Sequence, residues 1–101
     1  MIKHIVMWDV RGTTQEEKLL AINELKAAFS GLEAKIPGLL HMEVGVDMSR
    51  ASYACDVVLY SEFDSRESLA AYAEHPEHAR VKRLLVDVRV ARHQVDYDMV
   101  S

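Results

Sequence analysis

The sequence predicts an α+β fold whose elements follow the order β-α-β-β-α-β. Four segments are rich in β-branched and aromatic residues or alternate between apolar and polar residues, as strands do. Between them, apolar residues recur at spacings of three and four, which is typical of helices. The length of 101 residues suits one small domain and is too short for two hydrophobic cores. We therefore expect a single domain over residues 1–101.

The composition excludes several classes of protein. Half of the residues are hydrophobic and 28% are charged, which is ordinary for a globular protein and argues against disorder. The net charge is −4, and the basic residues between 80 and 92 are diluted by Glu77 and Asp87. Nucleic-acid binders need a concentrated basic face, so we expect no nucleic-acid partner.

The cysteine content and the N-terminus bear on location. Cys55 is the single cysteine of the sequence, so no intramolecular disulfide can form, which favours a reducing, cytoplasmic location. The apolar N-terminus is interrupted by Lys3, His4 and Asp9 and is far shorter than a membrane span. It reads as a first strand, and we expect no membrane partner.

The first strand is predicted over residues 2–9 and the first helix follows a turn. Thr13 or Thr14 can cap this helix, with a glutamate three residues on as the reciprocal partner of a capping box. We expect the helix to run to about residue 34, because Pro37 and Gly38 then stop it. The apolar positions at helical spacing are Leu19, Ile22, Leu25, Phe29, Leu32 and Ile36.

Three further strands are predicted. The second covers about residues 39–48, and its even positions are all apolar, so we expect one buried face. The third covers residues 56–63 and is apolar at both parities, as the first strand is. The fourth is the alternating segment at residues 92–99, "RHQVDYDM".

A proline divides the second helical segment. Asp64 or Ser65 can cap that segment, and Pro76 lies inside it. An interior proline costs about 3 kcal/mol, whereas proline is favoured at the first position of a helix. We therefore expect one helix to end near Glu74 and another to begin at Pro76.

This order of elements is that of a ferredoxin-like fold, with a four-stranded antiparallel sheet that carries its helices on one face. Strands apolar on both faces must be covered on both faces, and the helices can cover only one. A second copy of the chain is the simplest donor of the missing layer. The sequence therefore predicts a homodimer that packs through the sheet face into a dimeric α/β barrel.

The candidates for chemistry are histidines and tyrosines. The sequence has no phosphate-binding glycine loop, dinucleotide fingerprint, nucleophile elbow or set of cysteine ligands, so we expect no cofactor. His4 shares a parity with Trp8 and points from the first strand into one face of the sheet. It can act as base, acid or hydrogen-bond anchor, or it can be a buried neutral histidine bonded to a carbonyl.

The segment "YAEHPEH" at residues 72–78 is the other candidate. On a straight helix Tyr72 and His75 are neighbours, whereas Tyr72 and His78 would lie roughly 120° apart. A break at Pro76 could bring Tyr72 and His78 to one pocket, or it could be an ordinary helix boundary. His75 and His78 lack a third and fourth ligand, so we predict no metal site.

Five stretches of the sequence together resemble the stress-responsive dimeric A/B barrel family, often called Dabb. They cover essentially the whole chain in order: "IKHIVMW", "IPGLLHMEVG", "DVVLYSEFDS", "YAEHPEH" and "VDYD". The resemblance implies a ferredoxin-like protomer that pairs through its sheet. It also relates the chain to olivetolic acid cyclase, a plant polyketide cyclase that works without a cofactor.

The resemblance to that cyclase implies site residues. It makes Tyr72 and His78 the catalytic pair and His4 a residue of the cavity wall, while Val57 or Asp56 stands where the cyclase has a second wall histidine. We add His75 and Trp8 to His4 as candidate substrate-binding residues.

Three functions stay open. The first is a dimer that binds or cyclises a polyketide-like or aromatic molecule by acid/base chemistry. The second is a non-catalytic stress-responsive or ligand-binding dimer. The third is a cofactor-free monooxygenase like the similar antibiotic-biosynthesis enzymes, in which Trp8 and His4 would matter more.

Overall fold

The predicted order of elements is confirmed, with the second helical segment split in two. The computed structural model describes residues 1–99, so the last two residues of the expected domain lie outside the described residues. The elements are β1 (Ile2–Val10), α1 (Gln15–Phe29), a short 3-10 helix (Leu32–Ala34), β2 (Leu39–Val46), β3 (Val57–Phe63), α2 (Arg66–Ala73), α3 (Pro76–Leu84) and β4 (Arg89–Asp98). The sheet order is β2-β3-β1-β4, and each neighbouring pair is antiparallel.

Helix α1 begins as predicted and ends earlier than predicted. The Thr14 side chain accepts a hydrogen bond from the Glu17 amide, and the Glu17 side chain accepts one from the Thr14 amide, which completes a capping box. The expected extension to residue 34 is wrong. The helix stops at Phe29, and Gly31 follows with φ of 77°, a left-handed conformation that favours glycine and turns the chain.

The face that β2 buries differs from the prediction. Leu39 pairs with Phe63 and His41 with Glu62, so Leu40 is an extra residue between two neighbouring pairs. This bulge changes the parity, and Leu40 is 55% exposed while Leu39 and Met42 are buried. The strand ends at Val46, so the expected burial of all even positions up to residue 48 is wrong.

The two faces of the sheet have different surroundings. Alternate residues of β1 and β3 face the helices and form the core with α1, as Val6, Leu59 and Phe63 illustrate. On the opposite face Ile5 lies between Tyr60 of β3 and Val95 of β4, and no helix covers them within the described residues. The predicted apolar character of both faces is therefore confirmed.

The break at Pro76 lies where the sequence places it. Helix α2 is capped by the Ser65 side chain and ends at Ala73. His75 is extended, with ψ of 142°, and its Nδ1 accepts a hydrogen bond from the Glu77 amide at 3.0 Å. Pro76 is then the first residue of α3, where its missing N–H costs no hydrogen bond.

The helices in the described part of the chain are all too short or too polar to cross a membrane.

We expect the buried side of α1 to carry its stability. Leu25 is 0% exposed, whereas Leu19, which the spacing of apolar residues grouped with it, is 56% exposed. Leu25→Ala should lower the free energy of unfolding by about 2–5 kcal/mol, because it leaves a cavity in the core. Leu19→Ala should cost less than about 1 kcal/mol. Urea denaturation of the two variants measures both values, and equal losses would contradict this assignment of the buried face.

Candidate functional site

A cavity of about 300 Å³ lies between the inner face of the sheet and the helix pair α2–α3. We call it the α2–α3 cavity. Strands β1 and β4 form its floor, and the two helices form its wall. The polar and aromatic side chains that line it are His4, Arg66, Tyr72, His78, Arg92, Gln94 and Asp96.

Tyr72 and His78 meet at this cavity. Their ring centroids are 4.7 Å apart and the rings are inclined at 65°, an edge-to-face contact. Tyr72 also packs on Phe63 of β3, with the ring centroids 5.4 Å apart, which ties the helix to the core. Because α3 starts afresh at Pro76, two residues six apart in sequence reach the same cavity.

One hydrogen bond orients the His78 ring. Its Nδ1 lies 3.1 Å from the carbonyl oxygen of Ala73. A carbonyl can only accept, so Nδ1 is the protonated nitrogen and, in the neutral ring, Nε2 carries the lone pair. Burial lowers the pKa of His78 below its usual value; the hydrogen bond to Ala73 opposes this, and the positive charges of Lys82, Arg92 and Arg89 add to the lowering. His78 is therefore neutral at neutral pH and can accept a proton at Nε2.

Tyr72 is the hydrogen-bond donor of the pair. Its side chain is 3% exposed, and burial raises its pKa to about 12, although Arg89 and Arg92 act in the other direction. The phenol is therefore protonated at neutral pH. None of the described residues forms a hydrogen bond with its hydroxyl, so that donor is available to a ligand.

His4 lies on the cavity floor within a chain of hydrogen bonds. Its Nδ1 is 2.5 Å from Oδ1 of Asp96, its directly opposite neighbour on β4. The Gln94 side-chain amide donates to Oδ2 of the same carboxylate at 3.0 Å, and Arg92 donates to the Gln94 side-chain oxygen. A carboxylate rather than a backbone carbonyl thus orients this imidazole, and none of the residues 1–99 forms a hydrogen bond with its Nε2.

The structure places the other two candidates elsewhere. Trp8 is 2% exposed and stacks on Phe29, with Arg89 over its ring at 4.9 Å. It lies outside the α2–α3 cavity and borders a neighbouring hollow instead. His75 caps α3 and also does not line the cavity. Their assignment to substrate binding stays a prediction, and within residues 1–99 their visible roles are structural.

Sequence reasoning missed the contribution of β4. Arg92, Gln94 and Asp96 share the parity of that strand that faces the helices. The signal was present as three polar residues at even positions opposite His93, Val95 and Tyr97. Their proximity to His4 follows only from the pairing of β4 with β1, which joins residues 92 positions apart.

The histidine, cysteine and acidic side chains do not form a group of three suited to a metal ion within the part of the chain that is described.

Comparison with known proteins shows the family of the chain. The family described as the stress responsive A/B barrel domain, Dabb, matches residues 2–99. The chain belongs to this family. A dimeric protein of unknown function with a ferredoxin-like fold from Bacteroides fragilis shares 37% identity with the Dabb chain. Its solved structure superposes with a TM-score of 0.83, covering 97% of this chain and 95% of that one.

Two further proteins are similar to the chain. A stress-response A/B barrel domain-containing protein of Arabidopsis thaliana is 32% identical over 83 residues, which are 80% of the Dabb chain and 30% of the plant protein. The chain thus spans about a third of the length of that relative. A putative antibiotic biosynthesis monooxygenase from Nitrosomonas europaea is 19% identical, with a TM-score of 0.67 and complete coverage of both chains. That likeness concerns the fold alone.

The titration of His78 should show its burial. We expect its ring resonances, followed by NMR against pH in the folded protein, to have a midpoint below about 6.5. Below about pH 6.5 the His78 imidazole of the unfolded chain binds a proton more readily than that of the folded protein. The contribution of His78 to stability is therefore fully present above about pH 6.5 and is lost as the pH falls through the pKa of the folded state. The same titration in urea should return the ordinary midpoint. A folded midpoint at or above that of the unfolded chain would contradict the assignment.

Proposed function

We propose that this Dabb protein binds a polyketide-like or aromatic small molecule in the α2–α3 cavity and promotes its cyclisation by acid/base chemistry without a cofactor. The observation that carries this proposal is the contact between Tyr72 and His78, one held as a hydrogen-bond donor and the other as a neutral base. Burial favours the neutral form of both side chains, so the phenol keeps its proton as a donor and the imidazole keeps a lone pair as a base.

The proposed chemistry begins at a carbon next to a carbonyl of the ligand. His78 Nε2 takes a proton from that carbon, and its electron pair forms an enolate. The Tyr72 hydroxyl donates a hydrogen bond to the enolate oxygen, where the negative charge develops. The enolate carbon then attacks a second carbonyl of the same ligand, a carbon–carbon bond forms, and the resulting alkoxide recovers the proton from His78. No oxidant or reductant is needed.

The remaining cavity residues support binding. The His4–Asp96 pair presents an oriented imidazole from the floor, and Leu69 and Ala70 of α2 provide an apolar wall. A ligand with an apolar or aromatic body and a few carbonyl or hydroxyl groups suits such a lining, since small-molecule sites combine apolar walls with few polar groups.

We further propose that the functional unit is a homodimer formed through the outer face of the sheet. In the protomer this face leaves apolar side chains such as Met7, Val95 and Tyr97 partly exposed. The relative from Bacteroides fragilis is a dimeric protein. The cavity lies on the opposite face, so dimerisation leaves it accessible. With its single Cys55, the protein is suited to a reducing compartment, and we retain the cytoplasm as its expected location.

The second candidate is a ligand-binding dimer without catalysis. The same Tyr72–His78 contact serves to anchor α3 on α2, and the His75–Pro76 pair makes a stable helix boundary on its own. The monooxygenase alternative has less support, since buried Trp8 does not reach the cavity that holds Tyr72 and His78.

Exchange of an acidic hydrogen separates the catalytic candidate from the binding one. The probe is 2′,4′-dihydroxyacetophenone, a phenolic ketone whose methyl hydrogens are acidic, with exchange followed by NMR in D₂O. We expect the protein to accelerate exchange, His78→Gln to lose about 10²-fold or more, and Tyr72→Phe to lose on the order of 10²-fold. His75→Asn keeps a side chain able to cap α3 and should retain the rate.

Two results would change this assignment. If the probe shifts the Tyr72 and His78 resonances and exchange is not accelerated, the protein is a binder and not an acid/base catalyst. If His78→Gln keeps the rate of the unaltered protein while His75→Asn loses it, the base is not His78.

The dimer is tested by a charge on the outer face of the sheet. Val95 is half exposed in the protomer and pairs with Ile5 of β1 on that face. Val95→Asp should give a folded monomer by light scattering, because dimerisation would bury an unpaired carboxylate. Leu20→Asp, at a residue of α1 that is 65% exposed, is the matched control and should stay dimeric. A monomeric mass for the unaltered protein at micromolar concentration would exclude the proposed dimer.

A further inference from the structure

Three cations gather beside the α2–α3 cavity with no partner of opposite charge among residues 1–99. Lys82 of α3 and Arg89 and Arg92 of β4 line a hollow of about 300 Å³ that adjoins Trp8, and the described residues that line it include no acidic side chain. We call these three residues the basic cluster. Arg92 also lines the α2–α3 cavity, so the two spaces share a wall.

The arginines of the basic cluster form no ion pair with any of the described residues. In the part of the chain that the structure describes, the arginine ion pairs are Arg11–Glu24 and Arg80–Glu77. Arg92 donates to the neutral side chain of Gln94, and Arg89 lies against the face of Trp8. The carboxylate of Asp96 on the cavity floor is already paired with His4 and Gln94. An acidic protein with a net charge of −4 therefore keeps a local positive site without compensation from the described residues.

The field of this cluster acts on the candidate catalytic pair. Burial lowers the pKa of Arg89, and the positive charge of Arg92 lowers it further while Tyr72 acts in the other direction, so the two guanidinium groups repel each other. The same two arginines lower the pKa of Tyr72, and with Lys82 they lower that of His78. An anion bound among them would relieve the repulsion and would lie next to Tyr72 and His78.

We propose that the ligand carries an anionic end group, a carboxylate or a phosphate, that is bound by Lys82, Arg89 and Arg92 while its body occupies the α2–α3 cavity. This inference rests on the proposed function for the body of the ligand and adds its charged end. Arginine suits this task because its planar fork of donors matches the oxygens of carboxylate and phosphate. A free acid and the phosphate of a carrier are the two sources of such a group.

Three probes with the same phenol test the end group: 4-hydroxybenzoate, 4-hydroxyphenyl phosphate and 4-hydroxybenzamide. Dissociation constants are measured by NMR titration at low ionic strength on the full chain. We expect each anion to bind about five- to tenfold more tightly than the neutral amide, as charge-assisted hydrogen bonds at a partly exposed site allow. The stronger of the two anions, compared at about pH 5 where each carries about one negative charge, identifies the source.

The variant Arg92→Gln should reduce the preference for the anions over the amide to less than about twofold, because a charge-assisted bond is lost. Its matched control is Arg83→Gln, which removes the same charge from an exposed arginine of α3 that does not line either space. That control should keep the preference.

The binding and exchange results test the two proposals separately. Equal affinity for anions and amide, with the His78 resonances shifted by both, overturns the anionic end group and leaves the proposed function standing. An equal loss in Arg83→Gln and Arg92→Gln also overturns it, since only the overall charge would then matter. A clear anion preference without any acceleration of hydrogen exchange supports the basic cluster and rejects catalysis. If none of the probes binds, both proposals fail.

Discussion

The candidate site depends on one covalent fact, which is that Pro76 has no amide hydrogen. A proline inside a continuous helix would leave a carbonyl unpaired one turn earlier and would clash with it. The chain avoids this cost by ending α2 at Ala73, extending His75 and starting α3 at Pro76. The His75 imidazole then pairs an amide that the new helix would otherwise leave open. The meeting of Tyr72 and His78 at the cavity is a consequence of this restart.

The restart determines which histidine reaches the tyrosine. On a straight helix His75 would be the neighbour of Tyr72, and His78 would point elsewhere. Instead the capping hydrogen bond occupies His75, and His78 meets Tyr72 with a ring distance of 4.7 Å. The last turn of α2 also supplies the Ala73 carbonyl that fixes the tautomer of His78. One helix boundary thereby sets the position, the orientation and the proton-accepting nitrogen of the candidate base.

The parts that the sequence could predict are those governed by local chemistry. The order of elements, the Thr14 capping box and the boundary at Pro76 each depend on a few consecutive residues, and the structure bears them out. The bulge at Leu40 could not be predicted, because it depends on the register of β2 against β3. The His4–Asp96 pair could not be predicted either, because only the pairing of β1 with β4 brings the two residues together. The floor of the site depends on the pairing of β1 with β4, whereas the wall depends on the local sequence around Pro76.

The electrostatics of the cavity link binding to basicity. Burial and the basic cluster both lower the pKa of His78, and both therefore favour a neutral but weak base. An anionic group bound by Lys82, Arg89 and Arg92 would cancel part of that positive field and raise the pKa of His78. Tyr72 would remain a donor, because the same anion would raise its pKa, which burial already holds at about 12. A ligand with an acidic end would thus strengthen the base that acts on it, whereas a neutral analogue of the same shape would not.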